Sequence, residues 1–311
     1  MSPMSSYMKK IYAVTICGLF CLFLIVNLSF AQTVGEKILV STDFSQVLSQ
    51  ALVDGTRLEI VRAIPRNYAP DAYLQYIKKH FADFSGLARE ADSVISLASV
   101  WPADPLYPQA RRANIRIVNI DAGSPLDGTR SGVPLLQLPD GKSAPQAWAS
   151  PGNAARMADI VATDLMQLYA DAGKQIQSNL DSLKRELFKL RTRYETALAE
   201  LSSFEVIAFT SDYYYLTDEF GLMITDFLLK PEIKWQQEDM DILKEKLASG
   251  GIKGVLCAWE PKKEIKKVIT DSGARVIVMK KFTSKEGGGE KAQLLDYYQH
   301  NLDALLTGLK D

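Results

Sequence analysis

Histidine and cysteine, the side chains behind most nucleophilic, acid–base and soft-metal chemistry, are scarce in this chain of 311 residues, which carries two His and three Cys. Cys17 and Cys21 fall in an N-terminal apolar run, which leaves Cys257 inside Gly254-Val255-Leu256-Cys257-Ala258-Trp259. A thiol in such a run reads as a packing residue, because no His lies near it in sequence to draw off its proton. One thiol also makes no internal disulfide. His80 and His300 each fall in a predicted helix and read as exposed or capping residues. There is no Gly-x-Ser-x-Gly elbow, His-Glu-x-x-His zinc motif, Gly-x-Gly-x-x-Gly loop or phosphate-binding loop, so an enzyme is not the expected class. The conspicuous aromatics, Tyr213-Tyr214-Tyr215 with Trp101, Trp148 and Trp259, read either as the wall of a ligand pocket or as ordinary core.

Charge excludes a further class. With 36 Lys+Arg against 37 Asp+Glu the net charge is −1, so nothing argues for the concentrated basic face that nucleic acid requires. The charged stretches 181–193 and 262–267 read as solvated helix faces.

The elements that must position any site alternate between short β-rich runs and helical patterns. Residues 37–42, 58–64, 93–99 and 115–120 read as buried strands, with helices over 46–53, 72–84 and 105–113 between them. A second set follows, with strands at 205–209, 221–224, 252–258 and 274–279 and a helix over 262–270. This rhythm predicts parallel or mixed sheets with helices on their faces. Between the sets Ile176, Leu180, Leu183, Leu187, Leu190, Tyr194, Ala197 and Leu201 step by fours and threes. That stripe covers about 28 helical residues, roughly 42 Å at about 1.5 Å per residue. It serves a stiff strut between two domains, the favoured reading, or a coiled-coil seam. A separate helix over 153–170 precedes it, and Gly287-Gly288-Gly289 reads as a turn before a C-terminal helix near 294–309.

Residues 1–31 read as an export signal. Lys9 and Lys10 form the positive start, 11–26 the apolar run, and Ser29-Phe30-Ala31 the small-residue cut before Gln32. A lipoprotein or an uncleaved anchor is the alternative. The organisation expected is therefore a signal over 1–31, an N-terminal α/β lobe over 32–172, a linker helix over 173–203 and a C-terminal α/β lobe over 204–311. Open α/β sheets bind ligands at the carboxyl ends of their strands, so two such lobes can share one cleft.

Four local patterns then resemble one family, the zinc/manganese-type (TroA-like) solute-binding proteins of bacterial metal ABC transporters. Arg66-Asn67-Tyr68-Ala69-Pro70 resembles the family's His-x-aromatic-x-Pro. Gln146-Ala147-Trp148-Ala149-Ser150-Pro151-Gly152-Asn153-Ala154 resembles His-x-Trp-x-x-Pro-x-Asn-Ala, the most specific of the four. Thr210, Tyr215 and Phe220-Gly221-Leu222 resemble a strand-end His followed by Tyr and aromatic-Gly-Leu. Glu260-Pro261, Gly273-Ala274 and Met279-Lys280-Lys281 resemble a Glu-Pro strand end, a helix, and a strand ending in Leu-Asp-Pro. The resemblance implies two α/β lobes joined by a long backbone helix, a periplasmic or extracytoplasmic location, an ABC transporter permease as partner, and a zinc or manganese cargo.

It also implies four ligand positions, and these hold Arg66, Gln146, Thr210 and Lys280 in place of three His and an Asp. Zinc takes about four N, S or carboxylate donors, whereas protonated Arg and Lys offer no lone pair. The loop over 122–142, the equivalent of the family's acidic His-rich loop, has no His and two acids, Asp127 and Asp140. Three readings of the altered site stand open. Arg66 and Lys280 bind an anion or zwitterion, with Gln146 and Thr210 orienting it. Alternatively Asp212 or Glu260 neutralises them in a closed cleft kept as an interaction or structural module. In the third reading a cation binds through Asp212, Asp218 and Glu260.

Overall fold

In the computed structural model the described residues run from 36 to 310, apart from 129, 249, 250, 286 and 288. The expected export signal lies outside them, as does Gly288 of the predicted turn.

The first half forms strands β1 (Lys37–Val40), β2 (Glu59–Arg62), β3 (Ser93–Ser96) and β4 (Val118–Asp121). All pair in parallel in the order β2-β1-β3-β4. Its helices are α1 (Asp43–Val53), α2 (Tyr73–Lys79), α3 (Phe81–Glu90) and α4 (Leu106–Ala113). Then come α5 (Pro151–Leu168) and the long α6 (Gly173–Leu198). The second half repeats the plan with β5 (Glu205–Ala208), β6 (Met223–Phe227), β7 (Gly254–Cys257) and β8 (Arg275–Val278). These too are parallel, in the order β6-β5-β7-β8. Helices α7 (Tyr214–Glu219), α8 (Gln237–Ala248), α9 (Lys263–Asp271) and α10 (Glu290–Leu309) complete it.

Strands covered on both faces must be apolar at every position, and their period of two sorts the side chains into two cores. In β1, Ile38 and Val40 face a central core while Leu39 enters an outer one under α2–α4. In the second half Val206, Ala208 and Leu256 join that same central core, and Ile207, Val255 and Cys257 form the outer one. The central core therefore runs unbroken from one lobe into the other. Helix α6 lies along it: Ile176, Leu180, Leu183, Leu187, Tyr194 and Leu198 are all buried, against α1, α5 and α10. The stripe is consumed inside the chain, which leaves the coiled-coil reading no seam to offer.

Three expectations change. The helix read over 72–84 is two helices, because His80 (φ −112°, ψ 35°) leaves helical geometry, ending α2 and starting α3. Helix α8 is absent from the sequence reading, since only Leu243 and Leu247 of its twelve residues are buried and its apolar signal is thin. Strand β6 begins at Met223 rather than Gly221, which takes a left-handed turn at φ +69°.

Candidate functional site

In both sheets the strand order reverses between the first and third strands, β1 and β3 in one and β5 and β7 in the other, and loops leaving their carboxyl ends open a crevice there. Around it lies a cavity of about 650 Å³, lined from one lobe by Asp43, Arg62, Arg66, Tyr68, Asp71, Trp101, Gln146 and Trp148, among others. Asp212, Lys281, Phe282 and Thr283 line it from the second lobe.

Each wall has a local cause. Thr42 caps α1 in a reciprocal box, its Oγ1 accepting from Ser45 N at 3.0 Å and its own N–H donating to Ser45 Oγ at 3.2 Å. This sets Asp43 in the first helical turn, where an acid is also favoured by the helix dipole. Arg62, at the end of β2, donates to Asp43 Oδ1 at 2.5 Å and to the Ile64 carbonyl at 2.6 Å. Ser284 of the second lobe donates to the same Asp43 oxygen at 2.6 Å. Arg66 Nε stands 3.8 Å from it. Asp43 thus gathers two guanidinium groups and ties the lobes across the cavity.

Gln146 adopts φ 55°, ψ 54°, a left-handed conformation uncommon outside glycine. Its carbonyl accepts from Ala149 N at 2.8 Å, opening a single 3-10 turn over Ala147–Ala149. The residues after it lock that turn. Ser150 caps α5 by accepting from Asn153 N, Pro151 occupies the first turn, and the Asn153 amide donates to the Ala147 carbonyl at 3.0 Å. Trp148 then stacks on Phe44 at 5.6 Å and 16°, and its carbonyl accepts from Tyr298 at 2.7 Å. Phe282 meets Phe44 edge-on at 6.0 Å.

A second seam joins the lobes outside the cavity. Glu219, at the end of α7, accepts from Ser150 Oγ and from Gly152 N at 3.0 Å, and pairs with Arg191 of α6 at 2.9 Å. Burial pushes its carboxyl above the usual carboxylate range. The fit is close: a Cβ on Gly152 would lie 2.8 Å from a Glu219 oxygen.

Of the four residues expected at the site, Arg66 and Gln146 line the cavity, whereas Thr210 and Lys280 do not. Thr210 Oγ1 accepts from Asp212 N at 3.2 Å, and this turn presents Asp212 to the cavity instead. Lys280 is held through its backbone by Asn301, which accepts from its N–H at 2.7 Å and donates to its carbonyl at 3.0 Å. Its neighbour Lys281 lines the cavity, while Lys280 borders a separate hollow of about 40 Å³ that Lys281 also edges. The tyrosine run is mostly structural: Tyr213 and Tyr215 are buried, donating to the Met279 carbonyl and accepting from Leu136 N. Asp43, Arg62 and Asp71 are missing from the sequence reading, although an Arg inside the apolar run 58–64 is a signal that an acid awaits it.

Of the acids expected to neutralise the site's cations, neither Asp212 nor Glu260 is the one beside Arg66: its carboxylate neighbour is Asp43, and a cavity of about 650 Å³ stays between the walls. The three oxygen donors expected for a cation are not brought together: Asp212 lines the cavity, Asp218 borders a different hollow, and Glu260 pairs with Lys266 at the surface. Among the described residues no three His, Cys, Asp or Glu side chains gather as a metal ion needs.

Two parallel α/β lobes spanned by one long helix and enclosing a mixed-charge cleft define a two-lobed solute-binding protein. The chain belongs to the ZnuA family, zinc-uptake complex component A, periplasmic, whose profile matches residues 87–308. Solved structures share the fold at low identity. A mutant of FpvC from Pseudomonas aeruginosa has TM-score 0.70 and 18% identity over 88% of this chain and 98% of that one. The metal-dependent lipoprotein YcdH from Bacillus subtilis has TM-score 0.69 and 16% identity over 88% and 99%. ZnuA has 0.62 and 17% over 89% and 100%. FpvC is also known in complex with Mn²⁺ and with Ni²⁺. No curated protein sequence matches the chain.

Proposed function

We propose that the protein is an extracytoplasmic receptor serving an ABC transporter permease, and that its cleft takes a small organic anion or zwitterion in place of a bare divalent metal. The observation that carries this is the lining. A metal ion needs about four close donors, whereas this cavity of about 650 Å³ presents Arg66, Lys281 and an aromatic floor of Phe44, Trp148 and Phe282. That volume matches sites for small organic ligands, which span roughly 300–1,000 Å³. Arg66 offers bidentate donors to a carboxylate or phosphate, Lys281 adds a point charge, and Gln146 supplies an amide that both donates and accepts.

Thermal unfolding after exhaustive chelation tests it, with Zn²⁺, Mn²⁺, small carboxylates, phosphates and amino acids added in turn. Ligand at about a hundred times its Kd adds roughly 2.7 kcal/mol, a rise of about 5–10 °C for a protein of this size. The expected response is to an organic anion or zwitterion, and it weakens in Arg66→Ala. A chelator-reversible rise with zinc or manganese sinks the proposal and restores metal capture. Silence throughout favours a module kept for protein contacts.

A further inference from the structure

We infer that the ligand is an organic zwitterion of the amino-acid type, with Asp212 receiving its ammonium group and Lys281, with Arg66 opposite, receiving its carboxylate. This rests on the organic-ligand reading of the cleft and narrows it.

Charge balance is the first argument. The cavity is lined by three cations, Arg62, Arg66 and Lys281, and three acids, Asp43, Asp71 and Asp212. These are not equivalent. Arg62 and Asp43 are committed to each other, with side chains 11% and 21% exposed, and Arg66 leans on the same carboxylate. On the second lobe's wall, by contrast, neither Asp212 nor Lys281 has an ion-pair or side-chain hydrogen-bond partner among the described residues. Asp212 is half-buried and Lys281 exposed, so a ligand carrying one charge gains an ion pair from one of them only, and its like charge is repelled by the other. A ligand carrying both charges satisfies both.

The position of Asp212 is the second argument. It is held by structure rather than left on a free loop: its N–H donates to Thr210 Oγ1, and the next residue, Tyr213, is buried with its hydroxyl on the Met279 carbonyl. Lys281 follows Met279 by two residues, so that this hydrogen bond ties together the two backbone segments that carry Asp212 and Lys281. The third argument is the aromatic floor. Phe44, Trp148 and Phe282 form one packed group beside these charges, and ring faces attract an ammonium group while accepting an apolar side chain. Inorganic anions use none of that surface.

Calorimetric titration with three probes sharing one ring tests the assignment: L-phenylalanine, 3-phenylpropionate, which lacks the ammonium, and phenethylamine, which lacks the carboxylate. A panel of other amino acids and dipeptides accompanies them, each set beside its N-acetyl form. The expected result is that at least one zwitterion binds about tenfold to a hundredfold more tightly than its counterpart without the ammonium, the range a charged hydrogen bond supplies. Asp212→Asn abolishes that ratio while leaving anion binding, and Lys281→Gln weakens zwitterion and anion alike. Melting temperatures of both variants without ligand report that they fold. Equal binding of zwitterions and their N-acetyl forms overturns the assignment of Asp212 but leaves the organic-anion reading standing. A chelator-sensitive response to metal alone, or silence to every organic probe, overturns both.

Discussion

Replacing Asp43 by asparagine removes a charge and almost no volume, and it isolates the electrostatic core of the cleft. The amide that results keeps an oxygen for Ser284 and for Arg62, so packing and hydrogen-bond count survive. What disappears is the counter-charge to Arg62, whose side chain is 11% exposed. Breaking a fully buried pair costs about 3–5 kcal/mol, which sets the ceiling. The true figure lies below it, because Asp43 keeps some solvent and Arg62 still donates to the Ile64 carbonyl and to Gln46. Losing charge assistance at one short bond and one longer contact comes to about 2 kcal/mol, or roughly 4–8 °C in melting temperature. Chemical denaturation of the wild type, Asp43→Asn, Arg62→Gln and the double variant gives the coupling directly, expected at about 1–2 kcal/mol. The loss should persist in high salt, since dissolved ions screen a half-enclosed pair poorly. A loss below about 0.5 kcal/mol with additive single variants would refute the view that Asp43 anchors the site.

Other expectations follow from the same geometry. Burial raises the carboxyl pKa of Glu219, Asp104 and Asp164 above the ordinary value. A raised folded value means stability is fully present below the unfolded value and is lost as pH rises through the folded one. Unfolding free energy should therefore rise as pH is lowered from 7 toward about 4–5, and Glu219→Gln should flatten part of that rise; a steady fall over this interval would contradict it. Leu183→Ala, in the buried face of α6 at 1% exposure, should cost about 2–5 kcal/mol by denaturant titration. Gln146→Val should destabilise by about 1–2 kcal/mol, because a β-branched residue resists left-handed geometry, whereas Gln146→Gly should be close to neutral; equal effects would count against strain at this turn. Cys257, whose thiol burial pushes up to about 12, should stay unreactive to a thiol reagent until the protein unfolds.

The two sheets were legible because strands covered on both faces leave apolar runs, and α6 because its stripe repeats without interruption. Helix α8 escaped for the opposite reason: two buried leucines in twelve residues leave no periodic trace. At the cleft, Arg66 and Gln146 sit in loops whose neighbours, Pro65 and Pro70 or Pro151 and Asn153, fix the backbone locally, so their placement could be read from a short motif. Thr210 and Lys280 follow strand ends, where a single turn decides which residue faces inward. The Thr210 hydroxyl on Asp212 N and the Asn301 amide on Lys280 settle that choice through contacts that no linear pattern records. Asp43 was invisible for a related reason, since its partners Arg62 and Ser284 lie 19 and 241 residues away.

The central core that continues through both lobes bears on how such a receptor reports its state. Lobes joined by a narrow hinge can signal occupancy by swinging shut, and the energy of closure becomes part of the affinity. Here Leu294, Tyr298, Leu302 and Leu305 of α10 share one apolar mass with Phe44, Val47 and Leu48 of α1, and a wide swing would tear that mass open. In the receptor proposed above, a filled cleft would be announced by its rim, through the start of α1 at Asp43 and the loops that carry Asp212 and Ser284. Affinity in such a molecule would depend on a seat already assembled, and its empty and loaded forms would differ in local surface rather than in overall shape.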